Sequence, residues 1–461
     1  MSFPRYAAYK DSGVGWLGDV PAHWGVVRLK FVAQVQTGIA KGKDNTNKAT
    51  VEVPYLRVAN VQDGYLDLND IATIEIPQDD LARYRLQPGD VLMNEGGDFD
   101  KLGRGHVWDG SIDPCIHQNH VFAVRPFGLS PEWLNLFTGS IQAQFFFMSR
   151  SKQSTNLASI SSTNVMELPV VVPPPEERTT IALFLSRETA KIDALVEEQR
   201  RLIELLKEKR QAVISQAVTK GLNPNVPMKD SGVAWLGRVP AHWRTTRVKR
   251  VARDGRRTFV DGDWIELPFI TADGVRLLQC GNVGTGVFEE QGYRYISEET
   301  FKELDCTEVE PNDVLICRLQ SSRTILAGRA CLAPDLGTKM VTSVDNCIVK
   351  PSAEFDPAYV VLQLSTPAYL SFIEVVARGG TRDRISRSQL ASIEIAAPPL
   401  DEQRAIVEIV QRDAVQIDAL VSEASLAMDL LQERRSALVS AAVTGKIDVR
   451  GLVPQAEAIA A

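Results

Sequence analysis

Histidine is scarce, with five in 461 residues, and the six cysteines (Cys115, Cys280, Cys306, Cys317, Cys331 and Cys347) form no C-x-x-C pair. That excludes a disulfide framework and a clustered zinc site; the cysteines read as reduced, mostly buried thiols. No apolar run approaches the ~20 residues a membrane span needs. The opening MSFPRYAAYKDSG lacks the basic-then-apolar layout of a signal peptide, so a cytoplasmic protein is expected. The phosphate loop G-x-x-x-x-G-K-[ST], the G-x-S-x-G elbow and the H-E-x-x-H zinc helix are all missing. So is an amino-methyltransferase [DN]-P-P-[FYW] signature, because the proline pairs here follow Val172 and Ala397. An excess of positive charge is lacking too. The net charge of -7 weighs against nucleic-acid binding, although local patches matter more than totals.

Two such patches exist. Arg244 to Arg257 holds seven Lys/Arg and one acid, Asp254; Arg378 to Arg387 holds four arginines and one acid. At 44% hydrophobic and 24% charged residues, the composition is that of a globular protein of two to four domains.

What the sequence does contain is a duplication. KDSGVGWLGDVPAHW (Lys10 to Trp24) returns as KDSGVAWLGRVPAHW (Lys229 to Trp243), with 13 of 15 positions identical. YLRVANV from Tyr55 matches LLQCGNV from Leu277, which sets Asn60 over Asn282. PGDVL matches PNDVL, and Asn119 aligns with Asn346 when small gaps are allowed. PPPEERTTI from Pro173 matches PPLDEQRAI from Pro398, and an offset of 225 then holds without a gap to Thr219 and Thr444.

Between these matched parts, short β-branched runs punctuated by Gly, Asp and Pro predict strands. LSPEWLNLF predicts a helix capped by Ser130, with FDPAYVVLQ as its counterpart. Each middle is thus a mixed α/β domain of about 150 residues. After the prolines, three- and four-residue apolar spacing predicts long helices. The expected seam is Ile181, Leu185, Ile192, Leu195, Leu202, Leu206 and Val213 in the first helix. In the second it is Ile406, Val410, Ile417, Leu420, Leu431 and Leu438, with Ala424 and Ala427. Polar interruptions are expected at Glu188/Asp413 and Lys209/Arg434. About 40 residues at roughly 1.5 Å each give a helix near 60 Å. A stripe that long needs a partner, and the other tail is the nearest, paired antiparallel.

The expected fold is therefore α+β: two mixed α/β domains separated by two long antiparallel coiled-coil-like helices, in a pseudo-twofold repeat. The expected divisions are a repeat segment 1–24, a first domain 25–175, a central helix 176–222 and a second repeat segment 223–243. A second domain 244–399, a C-terminal helix 400–446 and a flexible tail 447–461 follow.

Cys115, His117 and His120 are close enough to suggest a metal. The repeat counterpart TSVDNC has no histidine, so a polar strand edge is the better reading. His23 and His242, in the repeated P-A-H-W, are read as structural partners of the adjacent tryptophans, in a turn that anchors each half on a helix end.

The P-P-L-x-E-Q-R-x-I element, the following I-D-x-L and the repeated K-D-S-G-V-x-W-L-G-x-V-P-x-H-W segment resemble the specificity subunits of type I restriction-modification systems. The resemblance covers essentially the whole chain. The first repeat departs from it at Pro175 and Arg178, where L and Q are expected. The resemblance implies two target recognition domains, each reading one half of a bipartite asymmetric DNA site. It implies a helix pair whose length fixes the unread spacer, and docking of two adenine-N6 methyltransferase subunits, with restriction subunits joining the complex. It also implies no active site and no cofactor in this chain, with S-adenosylmethionine, ATP and Mg on partner subunits.

Base reading favours Arg and Lys for guanine, Asn and Gln for adenine, and acids for cytosine. In the first domain the candidates are Lys41, Lys43, Asn45 and Lys48 in one loop. Asp98, Lys101 and Arg104 lie in a second, and Lys152, Gln153 and Asn156 in a third. In the second domain they are Arg256 and Arg257, then Arg318, Gln320, Ser321 and Arg323, then Arg382 and Arg384. The rival reading is a tandem-repeat protein-interaction scaffold with no DNA role. A self-contained restriction enzyme would need a catalytic domain for which the chain has neither room nor motif.

Overall fold

In the computed structural model, described for residues 3–42, 48–97, 99, 102–153, 158–292, 294–320, 326–377 and 383–453, the chain forms two compact units. One holds Met1–Arg200 with Leu426–Ala461, the other Arg201–Ser425. The division falls inside two long helices, Pro175–Lys220 and Leu400–Val443, so each unit owns half of each.

The first unit is built on a four-stranded sheet ordered Ala33–Thr37, Val121–Pro126, Val91–Asn94, Gly105–Val107. A second sheet pairs Thr50–Leu56 antiparallel with Ala72–Pro77 and parallel with Ile116–His117. The second unit repeats this: Phe259–Asp261, Asn346–Val349, Val314–Cys317, Ala330–Leu332 in the same order. Val275–Leu278 likewise pairs parallel with Met340–Thr342. The strands at the sheet centres are fully buried apolar runs such as Val91–Met93 and Val314–Ile316.

The polar residues shared by the repeats have structural work. Buried Asn60 accepts from Arg57 N and donates to Asp67 O and Asp70 O; Asn282 does the same with Gln279 N, Glu289 O and Gln291 O. The aspartate of P-x-D-V-L pairs with a cation on the neighbouring strand, Asp90 with Arg125 at 2.7 Å and Asp313 with Lys350 at 2.7 Å. The match of Asn119 with Asn346 needs correction. Val91 faces Val124 and Val314 faces Val349, so Asn346 stands where the first repeat has Val121.

Ser130 caps Pro131–Thr138 by accepting from Trp133 N at 3.3 Å, and Asp356 caps Pro357–Gln363. Five cysteines are buried, Cys280 is half-buried, and all six are free thiols.

The long helices run 46 and 44 residues. In the first unit Arg435 Nε lies 2.9 Å from Asp193 Oδ1; in the second, Arg210 Nη1 lies 2.8 Å from Asp418 Oδ1. Moving seventeen residues forward on the central helix corresponds to seventeen backward on the other, so the helices are antiparallel. The fold is α+β, with two mixed α/β domains and a coiled-coil-like helix pair.

The seam differs from the heptad reading. Ile181, Leu185, Ile192, Leu206, Ile406, Val410, Ile417 and Leu438 are buried, and Val213 and Leu431 are half-buried. Leu195, Leu202 and Leu420 instead face solvent, being 45%, 42% and 49% exposed. After Ile192 the stripe steps four residues to Val196 and continues through Gln199, Ile203 and Leu206. Ile181, Ile192, Ile203 and Ile214 are spaced by eleven, as are Ile406, Ile417, Met428 and Val439. An eleven-residue period gives 3.67 residues per turn and keeps the stripe nearly straight on the helix, where a heptad drifts by ~20° per repeat. Lys209 and Arg434 are exposed, and their neighbours Arg210 and Arg435 bridge the helices instead.

Candidate nucleic-acid interface

In each unit the sheet ends in a small platform where two loops meet. In the first, Gly96–Gly97 pairs with Ala158–Ser159, which pairs with Lys152–Gln153. This joins the flanks of residues 98–101 to those of 154–157. Gly96 is required, because a Cβ there would sit 2.9 Å from Ala158 O. Gly38 allows a closer approach still, with a Cβ at 2.1 Å from His117 O. It brings Ile39 against Gln118 and starts the Lys41 loop beside Asn119 and His120. A concavity of about 480 Å³ lies on this platform, lined by His120, Lys152, Gln153 and the paired backbones.

Lys41, Lys48, Lys152 and Gln153 are exposed. Arg104 lies 3.9 Å from Asp63. Lys43, Asn45, Asp98, Lys101 and Asn156 lie outside the described residues, as do Ser321, Arg323 and Arg382.

The second unit repeats the platform. Leu319 bridges Arg384, and Gln320 N donates to Asp383 O at 2.9 Å. Arg384 is exposed and pairs with Asp345 at 2.8 Å. Arg256 is exposed; Arg257, at φ 61°, is tied to Asp305, whose carboxyl is held below its usual range by that guanidinium. Arg318 turns inward instead. It is 5% exposed, donates to Val344 O at 2.7 Å and lies 3.1 Å from Asp261, so its side chain serves the platform from beneath.

The repeat relation exposes a contrast that motif reading missed. Glu95 and Arg318 occupy equivalent places, each donating its backbone N–H, to His120 O and Asp345 O respectively. In the first unit the Glu95 side chain is paired with His120 at 2.8 Å; in the second Asp345 is paired with Arg384 at 2.8 Å, while the Arg318 side chain turns to Asp261. The frame is common and the charge is exchanged. Aligning the halves through the flanking strands is the signal that would have found it.

His117 is buried, its Nδ1 2.7 Å from Val121 O, and burial lowers its pKa. The Cys115 thiol is also buried, and burial pushes it up to about 12. With His120 facing Glu95, these three side chains serve different surroundings, and among the described residues no three His, Cys, Asp or Glu converge on a metal position. Among those residues, too, no single helix is long and apolar enough to cross a membrane.

His23 and His242 anchor the repeat segments. His23 Nε2 lies 2.6 Å from Glu177 and Trp24 Nε1 donates to the same carboxylate at 3.0 Å. His242 and Trp243 treat Glu402 alike, at 2.9 and 3.0 Å. Each glutamate stands in the first turn of a long helix. Gly221, where the central helix ends, packs on Trp243, and Gly445, just past the C-terminal helix, packs on Pro21 and Trp24. Each fifteen-residue segment thus holds the end of one long helix against the start of the other.

Comparison with known proteins agrees with this geometry. Residues 282–417 match the type I restriction modification DNA specificity domain. The chain is 24% identical over 446 residues to the putative type I restriction enzyme MjaX specificity subunit of Methanocaldococcus jannaschii, covering 94% of this chain and 96% of that one. It is 19% identical over 450 residues to the EcoBI specificity subunit of Escherichia coli, covering 95% and 89%. Among solved structures, the HsdS subunit from Thermoanaerobacter tengcongensis shares the fold at TM-score 0.51 and 16% identity, over 92% of this chain and 98% of that one. A chain from a type I restriction-modification assembly aligns at TM-score 0.60 and 18% identity, over the same shares. Matched domain, similarity along most of both chains, duplicated frame and shared fold make this chain similar to the specificity subunits of type I restriction-modification systems.

Proposed function

We propose that residues 25–175 and 244–399 are two target recognition domains, each reading one half of a bipartite asymmetric DNA site. The observation that carries this reading is the replacement of Glu95 and His120 by Arg318 and Asp345 at equivalent positions of the same platform, where His120 pairs with Glu95 and Asp345 with Arg384. Common scaffold with different polar chemistry is what two half-sites of different sequence require, because base edges are told apart by their donor and acceptor patterns. Lys41, Lys48, Lys152, Gln153, Arg256, Gln320 and Arg384 are the described candidates for DNA contact. Lys43, Asn45, Asp98, Lys101, Asn156, Ser321, Arg323 and Arg382 belong to the same loops.

The helix pair sets the unread spacer, and the two equivalent clamps dock two adenine-N6 methyltransferase subunits. Restriction subunits join through the complex. S-adenosylmethionine, ATP and Mg belong to those partners, and the assembly works in the cytoplasm.

The test is a methylome. The chain is expressed with its cognate modification subunit in a host lacking adenine methylation, and N6-methyladenine is mapped by single-molecule sequencing. A split motif with a fixed gap, methylated on both strands, is expected. A stable complex that leaves no methylation and does not retard duplex DNA would favour the scaffold reading.

A further inference from the structure

The two basic stretches of the second half come together in space. A concave surface of about 1100 Å³ is lined by Arg247, Lys249, Arg250 and Arg253 on one side and by Arg387 and Ser392 on the other. All five cations are exposed. Two acids also line it, Asp254 and Asp261, and Asp261 is already shared between Arg318 at 3.1 Å and Arg387 at 3.8 Å. Arg253 reaches Glu310 at 3.2 Å. Glu394 is the cross-strand neighbour of Arg247. Among the described residues, Arg247, Lys249 and Arg250 form no ion pair within 4.0 Å.

The first half shows how this differs from a solvated scaffold surface. Its strand pair, Gly25–Arg28 with Pro169–Val172, has the same register as Arg244–Arg247 with Glu394–Ala397. Arg28 and Lys30 therefore stand where Arg247 and Lys249 stand. Both pair with the single carboxylate of Glu167, at 2.8 and 2.6 Å. The position of Glu167 is Ser392 in the second half, and the place of Arg250 is taken by Phe31, 66% exposed. The same frame thus holds two cations bridged by one acid in the first half, and three cations with no acid at that position in the second. Through Asp261 and Arg318 the open groove continues to the Arg384–Asp345 edge of the platform.

We propose that this groove is a DNA phosphate-backbone site peculiar to the second half, which gives this subunit an asymmetric electrostatic grip on its duplex. The inference rests on the DNA-reading role proposed above. Phosphates fit because the donors are long, exposed and spread along a concave strip, and contacts of this kind position a domain without reading sequence. Each neutralised phosphate releases counterions and contributes about 0.9 to the slope of log K against log salt.

The test uses the full complex with its modification subunits and measures duplex affinity across salt concentrations. R247Q/K249Q/R250Q lowers the slope by about 2 to 3 and leaves the methylated motif unchanged. S392E, which restores the acid present in the first half while removing no cation, lowers it by about 1 to 2. E167S, which frees Arg28 and Lys30, raises it by a similar amount. Thermal unfolding of each variant establishes that it is folded. Wild-type binding with a slope that none of the three variants changes overturns this inference alone. So does loss of subunit assembly at unchanged slope, which would make the groove a protein contact. Absence of any duplex binding by the wild-type complex overturns the DNA-reading role as well.

Discussion

Trp243 donates its indole N–H to Glu402 at 3.0 Å, and 219 positions earlier Trp24 donates to Glu177 at the same distance. Both tryptophans are fully buried, and both glutamates lie in the first turn of a long helix, where negative charge is favoured by the helix dipole. One carboxylate thus closes a buried donor, a helix start and a histidine. This is the physical reason the unusual P-A-H-W occurs twice.

Removing that carboxylate leaves a buried N–H without an acceptor. Glu402→Ala is expected to cost about 1 to 3 kcal/mol, and Glu177→Ala the same within error. Denaturant unfolding measures both. The loss should shrink markedly in a Trp243→Phe background, and a full-sized loss there would refute the assigned bond.

The first repeat has Arg178 where the second has Gln403. Gln403 is 1% exposed and fully engaged, accepting from Asp356 N at 2.9 Å and donating to Glu354 O and Pro398 O. Arg178 Nε is buried without a partner, and burial lowers the guanidinium pKa. Arg178→Gln should therefore stabilise the protein by about 1 kcal/mol, raising the unfolding midpoint. An unchanged or lower midpoint would show that the loop at Ser130 does not accept the second repeat's bonding pattern.

Burial holds His117 neutral at pH values where a free histidine takes a proton. Below the unfolded pKa of about 6.5, the unfolded chain binds a proton that the folded chain does not, so stability falls as pH drops. Half-buried His106 acts in the same direction. His117→Thr installs the residue found at the equivalent position, Thr342. The variant should lose stability less steeply below pH 6.5, by up to about 1.4 kcal/mol per pH unit. Parallel unfolding series at pH 7.5 and 5.5 for wild type and variant decide it, and identical slopes would refute the neutral buried state.

Replacing residues 25–172 with the equivalent segment of a similar type I specificity subunit should change one half of the methylated motif and leave the other half intact. Methylome sequencing reads the outcome directly. If both halves changed, the two-module reading would fail.

Local chemistry made much of this fold legible. Proline pairs stop strands, Ser130 caps a helix, apolar residues at three- and four-residue spacing build long helices, and the duplication predicts the same frame twice. The seam was less legible. Heptad and eleven-residue periods diverge by a single step after Ile192, and that step moves Leu195, Leu202 and Leu420 from the partner helix to water. Burial of Arg318 was invisible for a related reason: a strand sequence alternates faces without saying which face its neighbours cover.

The sequence by itself determined the elements, their duplication and the clamp residues, because each depends on backbone propensity or on near-identical repeated text. Only the tertiary structure decided which charges stay open. Arg247 and Arg387 are 140 positions apart and share a groove, while Arg28 and Lys30 are paired with Glu167 from equally far away. Electrostatic interaction falls with distance through space, not along the chain, so the balance of a surface is settled by what folding sets beside it.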